Sequence, residues 1–365
     1  QAIINLQHLR DNYQLAKGHS TNAYAVIKAN AYGHGLVPVA QALSVADGFA
    51  VACIEEAIKL RENGITQNIL VLGGGIDQSE WEIALEHDLE MVLHHSHQLA
   101  TLLTTPRFNQ LKLWLKIDTG MNRLGFRTAD AETVFNQCRE AGLNIKVLMS
   151  HFACADDLEK SKTKDQFNAL KRIYKQQLLH WPNLILSSNN SAAVLSWGSV
   201  NDHISRPGIT LYGSSPYISH SALDQQSRIL LKPVMTLKSK IVSTHWVNPG
   251  EGVGYGETQI MSQPTRVGIV AIGYGDGYPR SAPTGTPLWC NGKRLRVLGR
   301  VSMDMLCVDI TAPIESDLAS IEVGSEVELW GEHVNANEVA DLCGTISYEL
   351  FCQITPRVKR VYINQ

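Results

Sequence analysis

AYAVIKA, at residues 23–29, is the first of eight short apolar runs, and these runs decide the fold. Amphipathic, helix-like segments such as IEEAIKLREN separate the runs. Continuous apolar strands that alternate with helices predict a parallel sheet covered on both faces, and eight such units are the number in a closed (β/α)8 barrel. The other seven runs are FAVAC (49–53), NILVLGG (68–74), EMVLHH (90–95), KLWLKID (112–118), IKVLMSHF (145–152), LILSSNN (184–190) and HISRPGI (203–209).

An open, doubly wound sheet is the alternative arrangement for the same alternating pattern. Such sheets usually have fewer strands and carry a glycine-rich phosphate loop after the first strand. No GxGxxG motif follows AYAVIKA in this sequence. The closed (β/α)8 barrel, a TIM-type barrel, is therefore the preferred prediction.

The pattern changes after about residue 228. Strand-like segments such as VMTLKSKIVSTHWV and TRVGIVAIGYG now follow one another without intervening helices. Turn-forming stretches such as NPGEG, APTGTP and CNGK separate them. We therefore predict two domains, a barrel over residues 1–228 and a mostly antiparallel β domain over residues 229–365.

Composition excludes several classes of protein. A formal net charge of -3 argues against a nucleic-acid partner or an anionic membrane surface. No apolar run approaches the roughly 20 residues of a membrane helix, and no signal peptide is recognisable. The seven cysteines are scattered, in contexts that look buried, and none has zinc-site spacing, so we expect no metal. Reduced, structural thiols of this kind indicate a cytoplasmic protein.

Polar side chains end the predicted strands, where barrel enzymes carry their catalytic groups. Lys28 ends the first run, and burial there would lower the lysine pKa and favour base or Schiff-base chemistry. A lysine that extends to the solvent at the rim is the structural alternative. Arg206 and Gly208 follow the eighth run, and Ser191 follows the seventh, which is where barrels commonly bind a phosphate. For Arg206 alone, a surface ion pair is the alternative.

The stretch AVIKANAYGHG around Lys28 resembles the lysine motif of the pyridoxal-phosphate-dependent alanine racemases. The resemblance continues in the order of that family through both predicted domains. It implies a pyridoxal 5'-phosphate barrel followed by a β domain, and interconversion of L-alanine and D-alanine, with D-alanine supplied for peptidoglycan. The further matching stretches are KIDTGMNRLGF (116–126), SHFACAD (150–156), NNSAA (189–193), RPGITLYG (206–213), LKPVMTLKSKI (231–241), GEGVGYGET (250–258), IGYGDGYPR (272–280) and GRVSMDM (299–305).

The resemblance implies a role for each matching residue at the reacting centre. Racemisation needs two bases, one on each face of the cofactor. Lys28 matches the lysine that holds the cofactor and serves as one base, and Tyr255 matches the tyrosine base on the other face. In the family the tyrosine comes from the partner subunit, so a homodimer with shared active sites is implied. Arg206 matches the arginine at the pyridine nitrogen, and His151 matches the histidine beside that arginine.

The same resemblance assigns the cofactor phosphate and the substrate. The phosphate-binding positions match Tyr32, Ser191, Gly208, Ile209 and Tyr348, and we add Asn190 to the cofactor site. For the substrate carboxylate, Arg123 and the backbone N–H of Met303 match, while Tyr274, together with Tyr348, matches aromatic residues that narrow the entrance. Lys116 matches a position that carries a carbamate in some members. Ser302 departs from members that have cysteine there, which changes pocket polarity but not the neighbouring backbone contact.

Three other functions share parts of this pattern. A broad-specificity amino-acid racemase would share the catalytic residues and differ in pocket width. A decarboxylase with the same barrel would place an acidic group at the pyridine nitrogen, and Arg206 speaks against that. A non-catalytic pyridoxal-phosphate carrier would resemble the first domain only and would lack Tyr255 and residues 229–365.

Overall fold

The structure is a computed structural model that describes residues 1–18, 20–197, 203–311 and 320–364. The eight apolar runs form parallel strands of one sheet, as predicted. Their inner and outer faces are both buried, because helices cover the outside and side chains fill the centre. The strands are Asn22–Val26, Gly48–Val51, Asn68–Val71, Glu90–Leu93, Lys112–Asp118, Ile145–Met149, Ile185–Ser187 and Ile204–Ser205, and the short Phe126–Arg127 pairs beside the fifth.

The sheet closes on itself. Ile204 of the last strand pairs in parallel with Asn22 of the first. On its other side the last strand meets the seventh, where the backbone N–H of Arg206 donates to the carbonyl of Asn189 at 2.9 Å. The closed (β/α)8 barrel is therefore confirmed, and the open sheet is excluded.

Helices alternate with the barrel strands because their apolar residues recur on one face. Leu6–Lys17 shows the pattern: the side chain of Asn5 accepts from the N–H groups of Gln7 and His8, and Leu9 and Tyr13 are buried. The α-helices of the first domain are Leu6–Lys17, Lys28–Tyr32, Leu36–Ala42, Ile54–Glu62, Gln78–Glu86, Ser96–Thr104, Ala131–Glu140, Lys162–Gln177, Ser191–Ser196 and Ala222–Leu230. Single 3-10 turns are Pro106–Gln110, Thr128–Asp130 and Ile209–Tyr212.

The second domain is a mostly antiparallel β structure, as predicted. The first half of its long strand Met235–Val247 pairs with Ala2–Asn5 and Glu326–Trp330. The second half pairs with Thr265–Val270, and this additional pairing closes the sheet. The other strands are Gly252–Val253, Gln259–Ile260, Pro287–Cys290, Lys293–Leu298, Leu306–Asp309 and Arg360–Ile363. The helices are Ala336–Leu342 and Ser347–Gln353, with 3-10 turns at Tyr255–Glu257 and Tyr274–Asp276.

The first strand of the chain differs from the predicted domain division. Residues 1–228 were all assigned to the barrel, yet Ala2–Asn5 belongs to the sheet of the second domain. It pairs antiparallel with Met235–Val247 and parallel with Arg360–Ile363. Ala2 and Ile4 are fully buried there, so the strand contributes to the core of that domain.

The exposure of the cysteines differs in part from the prediction. All seven cysteines are free thiols, but Cys53 and Cys352 are exposed, where we had expected buried positions. Cys53 lies just beyond the end of a barrel strand, so its side chain leaves the apolar layer that its neighbours fill. Within the described ranges, no helix is long and apolar enough to cross a membrane.

Candidate active site

A left-handed turn follows Lys28 at the end of the first barrel strand. Ala29, Asn30, Ala31 and Tyr32 have φ angles of 53°, 55°, 54° and 49°. For residues with a Cβ atom this conformation costs roughly 1–2 kcal/mol each, so surrounding contacts must hold the turn. The turn directs Lys28 and Tyr32 toward the end of the barrel where catalytic groups are found.

Hydrogen bonds from two side chains hold the turn. The Oε1 atom of Glu56 accepts from the backbone N–H of Asn30 at 3.2 Å, and its Oε2 atom accepts from that of Ala52 at 2.9 Å. On the buried side, the Nδ1 atom of His34 lies 3.1 and 2.9 Å from the carbonyl oxygens of Ala31 and Tyr32. Since a carbonyl only accepts, Nδ1 carries a proton, and burial lowers the pKa of His34 to about 4, so the ring is neutral near pH 7.

The second domain of the same chain holds the residues that follow the turn. Arg360 donates from Nε to the carbonyl of Gly33 at 2.6 Å, and the Tyr362 hydroxyl donates to the carbonyl of His34 at 3.1 Å. Both residues lie on the strand Arg360–Ile363. The position of the Lys28 segment therefore depends on both domains.

Four cationic side chains, Lys28, Lys116, Arg123 and Arg206, surround the buried imidazole of His151. Burial and these four charges together hold the pKa of His151 well below its usual range. Burial, followed by the positive charge of Arg123, lowers the pKa of Lys28, which makes no hydrogen bond or ion pair within the described residues. A region with this charge attracts anions such as phosphates and carboxylates.

Lys116 is 8% exposed on the fifth barrel strand. Burial is the main cause that lowers its pKa to about 8, and the charges of Arg206 and Arg123 add to the effect. Near neutral pH Lys116 is therefore mostly protonated, with on the order of a tenth of it present as the uncharged amine. An uncharged amine is the nucleophilic form of lysine.

Arg206 is fixed by the ends of neighbouring strands. Its Nη2 atom donates to the carbonyl of Ser150 at 2.7 Å, and Nη1 donates to the hydroxyl of Ser187. The side chain is 4% exposed. The guanidinium therefore remains inside the barrel end, as a positioned cation that cannot give up a proton at physiological pH.

A small cradle lies between the seventh and eighth strands. The Ser191 hydroxyl oxygen accepts from the backbone N–H of Gly208 at 2.8 Å, and Ile209 begins the adjoining 3-10 turn. A Cβ atom at Gly208 would lie 2.7 Å from the Tyr32 hydroxyl oxygen. The Tyr348 ring, from the second domain, lies 5.8 Å from the Tyr32 ring, centroid to centroid. These groups match the predicted phosphate site, and the structure brings them together.

Two other strand-end residues have structural partners. The Asn190 side chain accepts from the N–H of Ala193 and donates to the carbonyl of Phe152, so it caps the helix Ser191–Ser196. The Asp118 carboxylate accepts from the N–H groups of Gly120, Met121 and Asn122. Asp118 thus shapes the loop that presents Arg123.

The remaining predicted residues lie on the surface of the second domain. Tyr255, Tyr274 and Met303 are 70%, 40% and 53% exposed. The backbone N–H of Gly275 donates to the carbonyl of Met303 at 2.8 Å, so Tyr274 and Met303 are on adjacent loops. A residue as exposed as Tyr255 has few contacts within its own chain, and the structure does not place it in the Lys28 cluster.

Several residues that shape this site were not predicted from the sequence. Glu56 and His34 hold the left-handed turn, and Tyr212 stacks on Tyr32 with ring centroids 4.8 Å apart. The available signals were weak: Glu56 follows the second strand, while His34 and Tyr212 lie inside motifs quoted for other residues. Their partners are backbone groups or rings distant in sequence, which no local pattern reveals.

The residues present fit a pyridoxal 5'-phosphate group. At the cradle, the missing side chain of Gly208 lets the Tyr32 hydroxyl approach the backbone, since a Cβ there would lie 2.7 Å from the hydroxyl oxygen. Lys28 offers an amine with a lowered pKa, and Arg206 a fixed cation. Among the residues that the structure describes, no cluster of His, Cys, Asp or Glu could hold a metal ion.

Comparison with known proteins gives one consistent family. The models described as "Alanine racemase, N-terminal domain" and "Alanine racemase, C-terminal domain" match residues 4–216 and 234–362. Alanine racemase from Pseudomonas entomophila is 47% identical over 97% of this chain and 96% of its own. A catabolic alanine racemase from Pseudomonas putida is 45% identical over 100% and 99%. The crystal structure of biosynthetic alanine racemase from Pseudomonas aeruginosa superposes with a TM-score of 0.89, at 43% identity over 99% and 98%.

Proposed function

Because this chain belongs to the alanine racemase family, we propose that it interconverts L-alanine and D-alanine with pyridoxal 5'-phosphate as cofactor. The observation that carries the proposal is the cluster at the barrel end, where a lysine of lowered pKa, a fixed arginine and the cradle of Ser191 and Gly208 lie together. We further propose that the D-alanine is used for peptidoglycan. The relatives include both biosynthetic and catabolic enzymes, so the direction of use in the cell is part of the proposal.

Each part of the cofactor has residues that would hold it. When bound, pyridoxal phosphate withdraws electrons from the α-carbon of the amino acid, which makes the α proton removable. Lys28 would hold the cofactor through Nζ, and Arg206 would face its ring nitrogen. Tyr32, Ser191, Gly208, Ile209 and Tyr348 would receive the phosphate, with Asn190 supporting Ser191 through its helix cap.

Two bases on opposite faces would move the proton. The Nζ atom of Lys28 is suited to one face because its lowered pKa favours the neutral amine. We propose Tyr255 for the other face, supplied by the partner subunit of a homodimer. Its exposure in the single chain supports this assignment, since a second copy would bury it.

The charges around the ring would favour racemisation over other reactions. Arg206 keeps its proton, so it would leave a ring nitrogen that it faced unprotonated and would restrain the electron withdrawal that the cofactor supplies. His151 is neutral and lies among the same cations. A restrained electron sink disfavours decarboxylation and transamination, which need a more stable carbanion.

The substrate would be held by its carboxylate. We propose Arg123, together with the backbone N–H of Met303 from the partner subunit, as the carboxylate site. Tyr274 of the partner and Tyr348 would narrow the entrance and favour a side chain as small as methyl. The uncharged amine of Lys116 is suited to carbamate formation, which would place an anion beside Arg123.

Free thiols support a cytoplasmic location. The seven cysteines form no disulfide, and two of them are exposed. Exposed free thiols persist in reducing compartments. We therefore propose that the enzyme works in the cytoplasm.

The proposal is tested on the purified protein loaded with pyridoxal phosphate. We expect a visible absorbance band, its loss in Lys28→Ala, and D-alanine production from L-alanine. The control is the same protein in the same buffer without pyridoxal phosphate. Turnover of several larger amino acids at rates similar to alanine would replace the proposal with a broad-specificity racemase. Absence of both the band and turnover would overturn it.

A further inference from the structure

We infer that Glu56 is a positioning residue for the reactive lysine, acting through the strained turn that follows Lys28; this inference rests on the proposed function. Glu56 lies in the first turn of the helix Ile54–Glu62, which follows the second barrel strand. Lys28 follows the first strand. The two segments are neighbours at the same end of the barrel, so a side chain from one can fix the other.

The contacts of Glu56 fall on the point where strain is concentrated. Its Oε1 atom accepts from the N–H of Asn30, the second of four consecutive residues in the left-handed region. Its Oε2 atom accepts from the N–H of Ala52, beyond the end of the second strand. One carboxylate therefore joins the turn to a rigid strand end, using both oxygens. Hydrogen bonds to an ionised acceptor are stronger than those between neutral groups.

A turn with this strain would relax if it lost its anchors. Each of the four non-glycine residues in the left-handed region adopts a conformation that is unfavourable for a residue with a Cβ atom, so their costs add along the turn. His34 holds the carbonyl side of the turn from within the core, and Glu56 holds the amide side from the solvent-facing edge. Loss of Glu56 frees only the amide side, which is the end adjacent to Lys28. We expect Lys28 to lose alignment while the barrel stays folded.

The charge of Glu56 also acts on Lys28. Its carboxylate raises the pKa of Lys28, in the direction opposite to burial and Arg123. Glu55, next to it in the helix, is exposed, and its carboxylate is hydrogen-bonded to Cys53 and to its own backbone instead of to the turn. The pair offers a matched comparison, because the two residues have the same chemistry and the same helix but different partners.

The test compares Glu56→Ala, Glu56→Gln and the control Glu55→Gln in the cofactor-loaded enzyme. Three quantities are measured: the visible absorbance band, kcat and KM for L-alanine, and amide hydrogen exchange of the peptide covering residues 28–35. For Glu56→Ala we expect faster exchange confined to that peptide and a fall in kcat of about tenfold to a hundredfold. KM should change little, since the carboxylate site is untouched.

Glu56→Gln should lie between Glu56→Ala and the unsubstituted enzyme, because the amide keeps only one acceptor oxygen. Glu55→Gln should match the unsubstituted enzyme. Unchanged exchange and kcat in Glu56→Ala would overturn the inference, as would loss of protection spread evenly over the whole barrel. Absence of the band or of turnover in the unsubstituted enzyme would instead count against the proposed function. Amide hydrogen exchange would still test whether Glu56 stabilises the turn.

Discussion

At the scale of single residues, the surroundings decide what each lysine and histidine can do. Lys116 and Lys28 are both lysines at strand ends, but burial and neighbouring arginines lower the pKa of each. Lys28 was predicted because it ends an apolar run, whereas Lys116 was assigned only through the resemblance to the alanine racemases. The roles of Glu56 and His34 could not be predicted from the sequence. Both bind backbone groups of the turn, and the turn contains no glycine that would indicate its left-handed conformation.

Lys116 should react reversibly with carbon dioxide. Its pKa of about 8 leaves a larger neutral fraction than an ordinary lysine has, and the carbamate anion would relieve repulsion with Arg123 and Arg206. At a fixed partial pressure of labelled carbon dioxide, the carbon NMR signal of a carbamate should grow as the pH rises, because only the neutral amine reacts. The signal should be absent in Lys116→Met. A signal that persists in that variant would assign the carbamate to another amine.

His34 should make the fold sensitive to acid. Complete burial lowers its pKa from 6.5 to about 4. Between these two pH values the unfolded chain binds a proton at His34, whereas the folded chain does not. Stability should therefore be lost as the pH falls from 6.5 to about 4, by about 3 kcal/mol in total. Denaturant unfolding at several pH values measures this.

The variant His34→Gln should show a shallower loss over that pH range, though its stability at neutral pH will be lower. His180→Gln, at an exposed histidine, is the control and should keep the slope of the unsubstituted protein. Equal slopes in all three proteins would mean that other groups control the acid response.

At the scale of elements, strands were predictable and the turns between them were not. Each apolar run became a strand, because burial on both faces leaves a continuous apolar signal. The left-handed turn was not predicted, since Ala29–Tyr32 contains no glycine to mark positive φ. Ala2–Asn5 was assigned to the barrel because a four-residue strand does not reveal which sheet it joins.

Gly208 should be needed for cofactor affinity. In Gly208→Ala the methyl group would lie 2.7 Å from the Tyr32 hydroxyl oxygen, so one of them must move into the cradle. We expect cofactor affinity to fall by about tenfold to a hundredfold, which corresponds to about 1–3 kcal/mol. Titration of the cofactor-free protein, followed by the visible band, gives the affinity.

Gly18→Ala provides the matched control for Gly208→Ala. A Cβ at Gly18 would meet its nearest atom, the carbonyl oxygen of Leu15, at 3.5 Å, which is ordinary contact. Its cofactor affinity should equal that of the unsubstituted protein. If Gly208→Ala also binds normally, the cradle does not receive the phosphate.

At the scale of the whole molecule, the distribution of the proposed catalytic residues bears on assembly. Lys28 lies in the barrel, whereas Tyr255, Tyr274 and Met303 form an exposed face of the second domain. The sequence pattern assigns these residues to two domains but contains no information on the distance between them. A site completed by two subunits, as proposed above, would account for proposed bases that the single chain does not bring together.

Mixing two inactive variants tests shared sites. Lys28→Ala and Tyr255→Phe should each be nearly inactive as homodimers. In a hybrid dimer, one site would contain both substitutions and the other neither. After exchange at equal concentrations, half of the dimers are hybrids, so about a quarter of the unsubstituted activity should return. If both bases came from the same subunit, the mixture would stay inactive.

The pairing of Ala2–Asn5 with Arg360–Ile363 also affects how the chain is made. The first strand leaves the ribosome early, but the strands that flank it are synthesised on the order of tens of seconds later. Its backbone edge and the side chains of Ala2 and Ile4, buried in the finished protein, remain uncovered during that interval. The nascent chain therefore carries a strand that has no partner until Met235–Val247 is made and that lacks its second neighbour until Arg360–Ile363 is made. Such a segment can be recognised by chaperones, and the second domain cannot complete its sheet until translation has passed residue 363.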